Sequence, residues 1–336
     1  GIMKAGKLTI EQLKSIVFPY TGTKRQEVVV HAAIGEDCSV IDLGGELCVI
    51  STDPITGASK DNGYLGVHVA CNDVIASGGK PLGILVTMLL KEETLEEDIT
   101  MIVEGIDKAC KELEIEIIGG HTEITTSVKD NILSLTALGT KEKSYLAAQS
   151  EIDAGDEIIL TKGGAIEGTS IIFNDYGDRF IGLVPDRLIT EGQEMLNWLS
   201  IYKEGMIARE NGAKVMHDVT EGGILGGVYE LAETTNLGIE IEEKNIYFHE
   251  ATLALKEVFK ELDLLRLISS GSLLIVAAKE ANMVAKLKEN GVESFVIGHF
   301  TENKDRIIKK RNNEIAKIEE PKSDELWTLI EKLKER

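Results

Sequence analysis

The sequence predicts a two-domain protein of mixed α/β or α+β class, and three observations lead there. The chain has 336 residues, more than one hydrophobic core usually serves. Strand-like apolar runs alternate with segments of helical spacing in both halves, while some strands follow one another without a helical crossover. Around 141–156 the character changes to a polar stretch that closes on the turn signal Ala154-Gly155-Asp156. The boundary is placed near residue 150, giving domains 1–150 and 151–336.

Taken in order, residues 9–18 carry Ile10, Leu13, Ile16 and Val17 on one helical face. ELCVISTD (46–53) reads as a strand that ends at Asp53 and Pro54. In 64–79, Val67, Ala70, Cys71, Val74 and Ile75 recur at helical spacing before paired glycines that suit a helix C-terminus. A strand at 83–90, a helix at about 95–113, an isoleucine-rich strand that stops at Gly119-Gly120 and a strand at 131–140 complete the first half. In the second half strands are expected in EIILTKGG (157–164) and at 213–217, 238–242, 272–278 and 294–300. Helices are expected at about 165–175, 187–211 (one long helix), 223–235, 250–261 and 280–289, with an amphipathic helix in KSDELWTLIEKLKER at the end.

Hydrophobic residues make up 43% of the chain, which fits a globular protein. A formal charge of −21 argues against a nucleic-acid partner, since phosphate backbones need a basic surface. It leaves room for a small phosphorylated ligand, which backbone amides and a bound cation can hold. Cys38, Cys48, Cys71 and Cys110 show no CxxC spacing, so buried thiols in a reducing, cytoplasmic compartment are expected. No run approaches the roughly 20 apolar residues of a membrane span, and no secretory leader is visible.

The chemistry resides in acids that interrupt apolar or glycine-rich ground. Glu36 and Asp37 precede an alternating run, Asp53 ends a strand, and Asn72 and Asp73 stand in an apolar helix. His121, Thr122 and Glu123 follow Gly119-Gly120, while His217, Asp218, Thr220 and Glu221 precede Gly222-Gly223. Alone, each has a bland reading: Asp218 or Thr220 as a helix cap, Asp53 as a turn residue, His121 as a hydrogen-bonded histidine. Together they point to phosphate and a divalent metal, because a buried carboxylate is costly without a cation and magnesium takes one or two carboxylates beside waters and phosphate oxygens. Neither a P-loop nor a dinucleotide-binding glycine pattern is present.

GEDCSVI (35–41), STDPITG (51–57), VHVACNDVIASGGKPLG (67–83) and GGHTE (119–123) resemble the N-terminal domain of the aminoimidazole-ribonucleotide (AIR) synthetase, or PurM-type, superfamily. GDEIILTKGGAIEGTSI (155–171), MHDVTEGGILGGVYELAE (216–233) and LISSGSLLI (267–275) resemble its C-terminal domain. The motifs stand in family order over roughly residues 35 to 300, and the chain is most similar to AIR-synthase-related members akin to the hydrogenase maturation factor HypE. The resemblance implies a two-domain PurM-like fold, a homodimer whose N-terminal sheets pair into a barrel, and ATP with Mg²⁺ as cofactors. It implies phosphorylation of an amide- or acyl-type oxygen on a small molecule or on a partner protein's group, with a metallocentre-maturation partner as one candidate.

Residue by residue, the resemblance implies that Asp37, Asp53, Asp73 and Asp218 are the metal-binding acids. Gly35, Asn72, Gly119, Gly120, Thr122, Gly163 and Gly164 would line the nucleotide with Asp37, and His121, Glu123 and Lys162 would be the catalytic candidates. Many relatives carry Asp where this chain has His121, so the imidazole is expected as a phosphate donor or acid/base group. HypE works on its own C-terminal cysteine, whereas no cysteine follows Cys110 here and the sequence ends LIEKLKER. That reaction is therefore not expected from this tail. A nucleotide-binding dimer that serves assembly or regulation without turnover is the second reading.

Overall fold

The computed structural model describes residues 2–34, 36–57, 60–144 and 151–335. Two compact units form, one of Arg25–His31 and Glu36–Ala148, the other of Gly1–Lys24, Ala32–Gly35 and Gln149–Arg336. Both combine helices with a single sheet, so the mixed α/β class holds.

The first unit is a six-stranded sheet in the order β1-β2-β3-β6-β4-β5. Its strands are β1 Val28–Val30, β2 Ser39–Asp42, β3 Leu47–Ile55, β4 Lys80–Leu90, β5 Glu116–Ile124 and β6 Ile132–Lys141. The helix Asn62–Ala76 packs between the sheet and the helix Glu96–Leu113, and all 15 of its residues are buried. That burial explains an apolar sequence with Asn72 and Asp73 as its polar breaks. Among the described residues of this sheet only β4 and β5 pair in parallel, joined by the helix Glu96–Leu113 as crossover.

Two strand ends differ from expectation. β3 continues through Asp53 and Pro54, opposite Leu135 and Ser134 of β6. β2 accompanies β3 only to Ile50, so one edge of β3 is open beyond it, where a proline is tolerated. β5 does not stop at Gly119-Gly120 but runs through both to Ile124. At Gly120 a Cβ would stand 1.9 Å from the Val86 carbonyl oxygen of β4, so glycine there is a condition of strand pairing.

The second unit holds a seven-stranded sheet ordered β13-β12-β9-β11-β7-β10-β8. Its strands are β7 Glu157–Thr161, β8 Val215–Asp218, β9 Gly238–Glu242, β10 Leu273–Ala277, β11 Ser294–Thr301, β12 Arg306–Lys309 and β13 Ile315–Lys317. β9 and β12 pair in parallel and the other neighbours are antiparallel. All five residues of β10 are buried, as a strand covered on both faces requires. Phe173, Phe180 and Phe300 are the largest fully buried side chains.

The single helix expected over 187–211 is instead the helix Asp186–Glu194, a 3₁₀ turn Met195–Trp198 and the helix Tyr202–Glu210. The break frees the Trp198 and Ser200 carbonyls, which accept from Lys162 Nζ at 2.7 and 3.0 Å. The β12–β13 hairpin was not foreseen, because its strands are short and its turn strongly polar. The early helical segment appears as Ile10–Gln12 with a π turn Leu13–Val17, opened by a Thr9–Gln12 capping box. It belongs to this unit, where the Ile10 amide donates to the Glu320 carboxylate. Among the described residues no helix is long and apolar enough to cross a membrane.

Candidate functional site

In the first unit Ser51 links two of the acidic positions, Asp37 through its backbone and Asp73 through its carboxylate. Strand alternation puts Leu47, Val49, Ser51 and Asp53 on one face of β3, the face against which the helix Asn62–Ala76 packs. The Ser51 hydroxyl lies 2.9 Å from Asp73 Oδ2 and 3.0 Å from the Asp37 carbonyl oxygen, able to donate to one at a time. Asp73 is buried, Asp53 half-buried and Asp37 exposed, while Asn72 beside Asp73 is fully buried. The Cys38 thiol donates to the Asp73 carbonyl at 3.1 Å. Burial, then Asp73 and Asp37, push that thiol far above its ordinary range, against hydrogen bonds from Ser77 and Ser51.

A cation already serves this neighbourhood. Lys141 is buried and donates to the Ser77 carbonyl at 2.7 Å, at the negative end of the helix Asn62–Ala76. Glu36 is pushed up by desolvation and by Asp37, with Lys141 opposing. Excess negative charge at Glu36 and Asp37 favours a further cation. Among the described residues no three His, Cys, Asp or Glu are grouped to hold a metal ion. The donor set is one or two carboxylate oxygens with hydroxyl and carbonyl neighbours, which fits a hard cation that keeps waters and phosphate oxygens as its other ligands.

Gly119, Gly120, His121, Thr122 and Glu123 lie elsewhere in this unit. β5 is three strand spacings from β3, about 14 Å, so within one copy these residues do not join the acids around Ser51. His121 Nε2 and Glu123 Oε1 are 3.0 Å apart on an exposed edge. Gly35 lies outside the described residues.

In the second unit Lys162, Gly163, Gly164 and Asp218 are neighbours through Ser272. The Val219 amide donates to the Ser272 carbonyl at 3.2 Å, and the Ser272 hydroxyl donates to the Gly163 carbonyl. Lys162, Gly163 and Ala165 have positive φ of 62°, 127° and 56°, a sharp turn into the helix Ile166–Tyr176. Besides the two carbonyls, Lys162 Nζ meets the buried Glu204 carboxylate at 2.8 Å. Asp218 ends β8 and is 1% exposed, and His217 Nε2 lies 2.9 Å from Glu230.

Family models described as the AIR synthase related protein N-terminal and C-terminal domains match residues 35–140 and 153–310. The chain belongs to the AIR synthase related family. A Methanocaldococcus jannaschii protein named for hydrogenase expression/formation is 25% identical, covering 90% of each chain. The carbamoyl dehydratase HypE of Bradyrhizobium diazoefficiens is 26% identical over 74% of this chain and 72% of its own. Crystallised E. coli HypE superposes with a TM-score of 0.71 at 19% identity, covering 94% of this chain and 98% of that one. A HypE solved in complex with ATP gives 0.67 at 17%, covering 96% and 97%. The fold of this AIR synthase-related chain is thus the two-domain PurM-like fold of HypE.

Ser51, Lys141 and Glu204 escaped the sequence reading. Ser51 was within reach, since it lies between Val49 and Asp53 in an alternating strand whose inward residues are even steps apart. Lys141 and Glu204 gave no local signal, because their partners are 64 and 42 positions away.

Proposed function

We propose that this protein is an ATP- and Mg²⁺-dependent enzyme, similar to HypE, that phosphorylates an amide- or acyl-type oxygen of an acceptor. The acceptor is a small molecule or a group on a partner protein, in the service of metallocentre maturation. The observation that carries the reading is the Ser51 hydroxyl set between the Asp73 carboxylate and the Asp37 carbonyl, with Asp53 two residues further along the same face of β3, within the segment matched by the N-terminal family model. Asp53 and Asp73 are assigned to the cation, and Asp37 with Asn72 to its phosphate-bearing partner. ATP held there supplies a phosphoryl group that makes the acceptor oxygen a leaving group, with ADP released. Ser51 orients Asp73 by its hydrogen bond, and Asp218 is assigned to a cation within its own unit. Gly163 and Gly164, whose amides donate to the Thr161 and Tyr247 carbonyls, are assigned to letting the backbone pass close to the nucleotide, whereas Lys162 secures their loop. His121 and Glu123 are assigned to proton handling.

The reading includes a homodimer. β5 is an edge strand with all nine residues exposed, among them Ile117, Ile118 and Ile124, an open ladder suited to a second copy.

Calorimetric titration with ATP, with and without Mg²⁺, followed by a phosphate-release assay on the same sample, tests this reading. Metal-dependent binding with release is expected, and Asp53→Asn weakens the affinity by about 1–3 kcal/mol. Binding without release, even with candidate acceptors, would favour the assembly or regulatory dimer. An absence of binding would defeat both.

A further inference from the structure

Asp324 stands outside both segments matched by the family models and outside every motif read from the sequence. It is 2% exposed, just ahead of the helix Glu325–Glu335. Its Oδ1 accepts from the Leu326 amide at 2.9 Å, an ordinary helix cap, and from the Ile268 amide at 3.1 Å. Its Oδ2 accepts from the Gly222 amide at 2.7 Å. The last two contacts reach 56 and 102 positions back along the chain.

Those two amides belong to the loops that carry the unit's candidate chemistry. Gly222 closes the run from Asp218 through Thr220 and Glu221, in a left-handed conformation that opens the helix Gly223–Glu233. Ile268 precedes Ser269, whose hydroxyl accepts from the Ala165 amide at 2.7 Å at the end of the Lys162–Ala165 turn. The Ser269 amide lies 3.4 Å from the Thr220 carbonyl. Trp327, one turn into the same terminal helix, donates from Nε1 to Glu221 at 3.2 Å. One carboxylate therefore ties two loops distant in sequence to the terminal helix, and a third is joined through Ser269.

We infer that Asp324 is a positioning residue: it holds the Asp218–Gly222 and Ile268–Ser269 loops, and through Ser269 the Lys162–Ala165 turn, in the arrangement the reaction uses. This inference rests on the reading that these loops serve an ATP-dependent reaction. An ionised carboxylate suits the task because it accepts several N–H donors at once, whereas a carboxamide offers a single acceptor oxygen. The charged group that acts on Asp324 is Glu221 from the first loop, while Glu325, next on its own helix, accepts from the Asp263 amide. Burial, with repulsion from Glu221, sets its pKa at about 6 against the pull of the three amides. Protonation at mildly acidic pH would then loosen the tie.

The test is Asp324→Asn in the full-length protein, read by amide hydrogen exchange and by the pH profile of phosphate release. At pH 7.5 exchange should rise in 219–223 and 266–269 while β10 keeps its protection. The release kcat/KM should fall about 10-fold or more, as loop misplacement does. Wild type should show an acid limb near pH 6 that the variant lacks, so that the two converge at pH 5. A purely structural role would raise exchange everywhere and leave the acid limb in place, which would overturn the inference, as would an active wild type whose variant is equally active. A wild type that neither binds Mg-ATP nor releases phosphate would instead defeat the reading on which the inference stands. The Trp198→Phe background, in which Trp327 is the remaining tryptophan, reports the tie independently: its fluorescence should shift near pH 6 only when Asp324 is present.

Discussion

A carboxylate buried as deeply as Asp324 alters stability as well as geometry. Its pKa of about 6, against an ordinary 3.8, means that the folded chain binds this proton more tightly than the unfolded chain does. Its contribution to stability is therefore complete below about pH 4 and is lost as pH rises through about 6, by on the order of 3 kcal/mol. Urea denaturation of wild type and Asp324→Asn in parallel should show their difference in unfolding free energy moving by that amount between pH 4 and 7, against the wild type at higher pH. A constant difference would mean that the carboxylate titrates normally. Residues of this kind are hard to find in a sequence. Asp53 and Asp73 stand out because they break apolar runs, but Asp324 sits in PKSDELW, where any reader expects a helix cap. Its cap is real, and its two longer contacts depend on loops that only the tertiary fold brings near.

At the scale of elements, β5 shows what a local pattern conceals. Gly119-Gly120 resembles a strand terminus, yet the ladder to β4 continues to Ile124. The reason is the close approach of Val86, which no neighbouring residue in the sequence reveals. Gly120→Ala must displace that backbone or break the pairing, so a loss of roughly 2–4 kcal/mol is expected in thermal or denaturant unfolding. Gly119→Ala, whose Cβ would meet only Leu85 Cδ2 at 3.5 Å, should cost far less and serves as the control. Similar behaviour of the two would contradict the packing described for Gly120. The helix break after Trp198 was hidden for a related reason. The 187–211 stretch is locally compatible with continuous helix, and the acceptors wanted by Lys162 come from a different part of the chain. Strands and helices with strong periodicity, such as β4, β7 and the helices Asn62–Ala76 and Glu96–Leu113, could be read directly.

For the whole molecule, the exposed apolar residues of β5 oppose a formal charge of −21. Charge of that size keeps copies apart unless an apolar, hydrogen-bonding surface draws them together. Ile118→Lys places a charge on that edge and should convert a sedimenting dimer into monomer with little change in the unfolding midpoint. A variant that remains dimeric would move the interface elsewhere. The fate of Lys162 bears on what such an assembly can bind. Its ammonium is shared among the Trp198 and Ser200 carbonyls and Glu204, so the glycine turn is stiffened by a cation that faces inward. The Gly163 and Gly164 amides are engaged as well, with the Thr161 and Tyr247 carbonyls, so this turn offers an approaching phosphate neither a mobile positive side chain nor those two donors, and a doubly charged counterion travelling with the phosphate would have to bring the positive charge.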